Sequence, residues 1–202
     1  MESILLDTAI SGLITFASTP QWSSYFAERV AFIKAISNVE ENITSHYKEG
    51  KMFFNPNDFT FNIGGSIVHE YGHLIFDKML NKGQAVIANL FKREVASLIE
   101  DEDFLTKLHE KYCPDLNWTR FFYDRQYCPS MITDGISILT RKPNQGIHHN
   151  IGYPMDFLAT ELFAECLEAE VLGYKYPIKI YKGECPRTYS YIRGKIYEVF
   201  RP

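Results

Sequence analysis

Two histidines and a glutamate in the pentad His69-Glu70-Tyr71-Gly72-His73 are the residues of this chain best spaced for chemistry. Positions four apart on an α-helix differ by about 40° in azimuth and roughly 6 Å in height. On a helix, His69 and His73 therefore present their imidazoles to one point, while Glu70 lies beside them. Two neutral imidazoles are good ligands for zinc, and an adjacent carboxylate that does not ligate is placed to deprotonate a metal-bound water. This is the H-E-x-x-H arrangement of zinc peptidases.

A catalytic zinc usually has three protein ligands and one open position. Candidates for the third are His109, His148, His149 and the carboxylates of a later helix. The metzincin continuation is excluded, because Leu74-Ile75-Phe76-Asp77-Lys78-Met79 lacks its glycine and histidine. In the later segment Ala159 to Glu168, Glu161, Glu165 and Glu168 fall within a helical sector of roughly 60°. Phe157, Leu158, Leu162, Phe163, Ala164, Cys166, Leu167 and Leu172 surround them. An acidic stripe embedded in an apolar helix requires a compensating charge, since burying an unpaired carboxylate costs several kcal/mol or more. A divalent cation beside two histidines supplies one.

The elements that must carry these residues follow from pattern. Trp22, Tyr25, Phe26, Val30, Ile33 and Ile36 recur at helical intervals and predict a helix over 21–48, stopped by Gly50. Lys51 to Phe54 and Phe59 to Asn62 are β-prone runs around the turn signal Asn55-Pro56-Asn57-Asp58, which predicts a hairpin just before the metal helix. Ser66 after Gly64-Gly65 is an N-cap candidate for a helix over 67–80. Gly72 inside that helix implies a close neighbour against its backbone, because glycine there costs about 1 kcal/mol relative to alanine. A helical stretch over 84–112 is interrupted by Glu100-Asp101-Glu102-Asp103, and 113–155 is irregular with four prolines. A helix over 156–172 is stopped by Gly173, and Tyr189, Ile192, Ile196, Tyr197 and Phe200 mark a final one. The expected class is α+β: helices with a small sheet, in a single domain over 1–202 with a helical N-terminal part (1–48) and a core (50–200).

Composition excludes some functions. Of 202 residues, 46% are hydrophobic and 23% charged, a globular balance. A net charge of −4 with no basic stripe argues against nucleic acid as a partner. Neither a secretory signal nor an 18-residue apolar span is read, so no membrane partner is expected. Compartment stays open between cytoplasmic, virion-associated and delivered by another system. Cys113, Cys128, Cys166 and Cys185 contain no C-x-x-C pair, so a zinc ribbon is not expected, and free thiols are.

Ile67-Val68-His69-Glu70-Tyr71-Gly72-His73, followed by Thr160-Glu161-Leu162-Phe163-Ala164-Glu165, resembles the anthrax lethal factor-like metallopeptidases. That group also includes Pro-Pro endopeptidases and domains of phage head-associated proteins. The resemblance covers roughly residues 50–200. It implies a zincin-like domain of the gluzincin type, with Zn2+ held by His69, His73 and Glu161, and Glu165 orienting a ligating imidazole. Asp134 to Thr140 and Gly146 to Tyr153 resemble the family's segment before the second motif. By position Tyr153 matches the family's transition-state tyrosine, with His148 and His149 as rival oxyanion donors. The activity implied is hydrolysis of a peptide or protein substrate by attack of a zinc-bound water, with Glu70 as base and Phe59 to Asn62 pairing with the substrate. The alternatives are a phage head-associated structural or interaction protein retaining the zinc site, and a toxin-type effector peptidase.

Overall fold

In a computed structural model, residues 36–38, 46–48, 51–54, 63–77, 83–141 and 155–200 are described. Among them the chain is mostly helical. Nine α-helices follow three short strands: β1 (Ile36–Asn38), β2 (His46–Lys48), β3 (Lys51–Phe54), α1 (Ile63–Ile75), α2 (Gln84–Glu94), α3 (Ala96–Ile99), α4 (Phe104–Tyr112), α5 (Trp118–Tyr123), α6 (Ser130–Thr140), α7 (Leu158–Leu172), α8 (Lys175–Glu184) and α9 (Pro186–Phe200). A 3₁₀ turn, Met155–Phe157, leads into α7.

Helix α7 is the centre of the structure, and α1, α2, α6, α8 and α9 all pack on it. Its apolar residues are spread around the whole circumference, so it is buried on every side, as a helix without a polar face must be. Gly173 ends it with φ of 68°, the left-handed cap that glycine adopts without strain, and Tyr174 N–H donates to Ala169 O. Glu94 at the end of α2 accepts from the backbone N–H groups of Arg187 and Thr188 and from the Thr188 hydroxyl, satisfying donors at the start of α9. All four cysteines are buried free thiols. No helix among the described residues is long and apolar enough to cross a membrane.

The strands form a sheet in the order β1-β3-β2, with β3 parallel to β1 and antiparallel to β2. The expected helix over 21–48 is therefore wrong at 36–38 and 46–48. Backbone pairing with β3 decides these segments, which lie at and beyond the end of the helical spacing of Trp22 to Ile36. The expected hairpin is also altered: β3 pairs with segments preceding it, while 55–62 lie outside the described residues. Only Glu49 and Gly50 separate β2 from β3 in sequence, a spacing suited to a tight hairpin.

Two further expectations are corrected. Ser66 is not the N-cap of α1, which starts at Ile63 and carries Gly64 and Gly65 within it. A Cβ at Gly65 would lie 2.4 Å from Glu168 Oε1, so the glycine that reads as a helix boundary instead admits α7. The stretch 113–155 also contains regular structure, most of all the buried helix α6. Gly135 within α6 lets Phe91 and Leu162 approach where a Cβ would lie 2.5 Å and 2.9 Å from their nearest carbons.

The neighbour expected at Gly72 is α7. A Cβ there would fall 2.7 Å from Ala164 Cα, a backbone atom that cannot swing aside. Gly194 in α9 has nothing within 4 Å of the corresponding position. The same substitution should thus act with opposite sign at the two sites. Gly72→Ala is expected to destabilise by roughly 1–3 kcal/mol through overpacking. Gly194→Ala should stabilise by about 0.5–1 kcal/mol through helix propensity. Urea midpoints measure both, and a neutral or stabilising Gly72→Ala would contradict the close crossing.

Candidate metal centre

The crossing of α1 on α7 sets the pentad against the acidic stripe. His69 is 2% exposed, Glu161 2%, Glu165 3% and Glu168 2%, so the stripe is buried and not a solvated face. His69 Nε2 and His73 Nε2 lie 3.0 Å apart, with their rings edge to face at 85°. Glu161 closes the triangle, its Oε2 3.5 Å from His69 Nε2 and its Oε1 3.4 Å from His73 Nε2. In a tetrahedral shell with bonds of about 2.0–2.1 Å, ligands are spaced by about 3.3–3.4 Å. The three donors have close to that spacing, and the residues present fit a metal ion.

Each imidazole also has polar neighbours at its other nitrogen. His73 Nδ1 lies 3.1 Å from Thr160 Oγ1. His69 Nδ1 faces Glu165 Oε1 at 3.4 Å and Glu168 Oε2 at 3.7 Å. The Ser130 hydroxyl at the start of α6 donates to Glu165 Oε2, and Arg125 Nη1 donates to Glu168 Oε2 at 2.5 Å. Such contacts choose which ring nitrogen carries a proton and which offers a lone pair. Glu70, 6% exposed, follows His69 on α1. His73 keeps 11% of its side chain exposed and marks the solvent-reached side of the cluster.

Of the other candidate ligands, His109 is elsewhere. It lies on α4 with Nε2 2.6 Å from Leu116 O, packed edge-on against Trp118 and Phe121. Tyr153, His148 and His149 lie outside the described residues. Sequence reasoning missed Arg125, Ser130 and the contact made by Thr160. Arg125 lies in a turn with no periodicity, and the one signal for it was the demand of the acidic stripe for positive charge, which was assigned wholly to a metal.

No protein-family model matches this chain, and comparison with curated proteins and with solved structures finds no match. The residues themselves must carry the functional argument.

Without a metal, burial opposes protonation of His69, but the carboxylates of Glu165, Glu161 and Glu70 outweigh it and raise its pKa to about 10. In the unfolded chain the value is about 6.5. The imidazolium then contributes stability that is fully present below about pH 6.5 and is lost as pH rises to about 10. In the presence of chelator, the urea midpoint should fall steadily between pH 6.5 and pH 7.5, a range below most of the titration of unfolded thiols. A midpoint that rises over this range would contradict the assignment.

Proposed function

We propose that this protein is a zinc-dependent endopeptidase of the lethal factor-like, gluzincin kind, on a zincin-like α+β fold. The observation that supports it most is the convergence of His69 Nε2, His73 Nε2 and a Glu161 carboxylate oxygen at ligand spacing, with Glu70 on the same turn of α1 and outside the donor set. Two imidazoles and one carboxylate are a catalytic donor set for zinc, leaving a position for water and substrate. Among the described residues no fourth donor joins these three. Glu165, which as a fourth ligand would favour a structural zinc, lies on the opposite side of the His69 ring, against Nδ1.

His69, His73 and Glu161 would hold the zinc ion, which would supply Lewis acidity and make a water acidic near neutral pH. The remaining work falls to side chains. Glu70 accepts a proton from the attacking water and returns it to the departing amine, a carboxylate acting in turn as base and acid. Thr160 hydrogen-bonds His73 Nδ1, and Glu165 faces His69 Nδ1 as a counter-charge, which favours both rings keeping their Nε2 atoms towards Glu161. Tyr153 is assigned the donor to the developing oxyanion on the strength of the sequence resemblance. The substrate class is a peptide or protein.

A digest of a proteome-derived peptide library, comparing wild type with Glu70→Ala and His73→Ala, tests the reading. Wild type is expected to cleave. Glu70→Ala should retain zinc and lose cleavage by about 10²–10⁴-fold, the usual worth of a general base. His73→Ala should lose both zinc and activity. Equal turnover in wild type and Glu70→Ala would remove the proposed base, and a zinc-loaded wild type that cleaves nothing would favour a structural role.

A further inference from the structure

His69 presents a donor set on each side of its ring. Its Nε2 meets His73 and Glu161, and its Nδ1 meets Glu165 and Glu168, which together with His69 are also spaced closely enough to hold an ion. The rear set already has its cation. The Arg125 guanidinium lies 2.5 Å from Glu168 Oε2, the same oxygen that faces His69 Nδ1. A metal ion on that oxygen would sit within a few ångströms of a fixed positive charge.

The chain is built to keep Arg125 there. The Asp124 carbonyl accepts from the N–H groups of both Tyr127 and Cys128, and its carboxylate accepts from Gln126 N–H, closing a tight turn around Arg125. The Arg125 side chain is only 18% exposed. On the other side, the missing Cβ of Gly65 leaves the space that Glu168 Oε1 fills. Glu165 is anchored by Ser130, five residues beyond Arg125. The short segment 125–130 therefore holds both carboxylates that face the back of His69.

We infer that Arg125 and Glu168 form a positioning pair for His69: the guanidinium keeps metal out of the rear set and fixes Glu168 Oε2 3.7 Å from Nδ1, beside the nearer Glu165 Oε1, leaving Nε2 as the ligand atom. The inference rests on the zinc-site reading above. Arg125 makes its closest contact with Glu168, and its charge also acts on Glu165, Asp134 and Glu70. In the neutral imidazole one nitrogen carries the proton and the other the lone pair. A carboxylate held against Nδ1 selects the tautomer whose lone pair is on Nε2.

The test measures zinc affinity by chelator competition, zinc stoichiometry, and the His69 tautomer by ¹⁵N NMR, on the full chain. Wild type is expected to bind one zinc, with His69 protonated at Nδ1. Glu168→Gln and Arg125→Met should each weaken zinc binding by about 10- to 100-fold. Combined, they should weaken it no more than the worse of the two, because both act through one contact. Arg125→Lys, which keeps the charge, should recover most of the loss. Single variants leave one buried charge alone, so if they do not fold the double variant, neutral on both sides, decides: wild-type affinity in it overturns the pair. Additive losses, two zinc ions per wild-type chain, or variants that lower the melting temperature while zinc affinity and tautomer stay unchanged would also overturn it. Wild type that binds no zinc removes the site and this inference together, whereas zinc-binding wild type with indifferent variants removes the inference alone.

Discussion

Buried carboxylates need positive charge within reach, and the rest of this structure answers to that constraint. Three glutamates on α7, each at most 3% exposed, lie along one sector of a helix that has no solvated face. An isolated carboxylate in such a place costs several kcal/mol even after the protein relaxes. Helix α1 brings His69 and His73 against Glu161, and the turn before α6 brings Arg125 against Glu168. Ser130 satisfies one oxygen of Glu165. The upward pull on the His69 pKa, against the effect of burial, comes from the negative charge of Glu165 and Glu161 on α7 and of Glu70 on α1.

These distances depend on backbone approach, and small residues set it. Gly65 and Gly72 occur seven residues apart on one face of α1, and each meets α7 where a Cβ would collide, with the Glu168 carboxylate and with Ala164 respectively. Their cost in helix propensity, about 1 kcal/mol each, is the local expense of a crossing close enough for imidazole and carboxylate to share an ion. Gly135 does the same for α6 against Phe91 and Leu162. The geometry of the candidate metal site and helix packing are thus one problem in this protein.

The pentad, the acidic stripe and the need for a neighbour at Gly72 were legible in the sequence, because each depends on helical periodicity within a single element. The helix over 158–172 and its glycine stop were legible for the same reason. What was not legible depends on tertiary approach. Gly64-Gly65-Ser66 reads as a boundary by local rules, and only the proximity of Glu168 explains why it lies inside α1. The prolines of 113–155 read as irregular chain, and the role of Gly135 inside a helix between 130 and 140 shows only where Phe91 and Leu162 pack against it. Arg125 has no pattern at all. Its importance comes from a carboxylate 43 residues away. The strands at 36–38 and 46–48 were hidden because sheet pairing depends on a partner, and the helical spacing of Trp22 to Ile36 was extended across them.

The central claim is that one ion is held between α1 and α7 by two imidazoles and a carboxylate. X-ray absorption at the zinc edge, on protein loaded with one equivalent and freed of excess, tests it most directly. Retention of about one zinc per chain is expected, in a shell of nitrogen and oxygen at about 2.0–2.1 Å with the scattering pattern of two imidazoles and no sulfur. Failure to retain zinc, or a sulfur shell at about 2.3 Å from the cysteines, would contradict it.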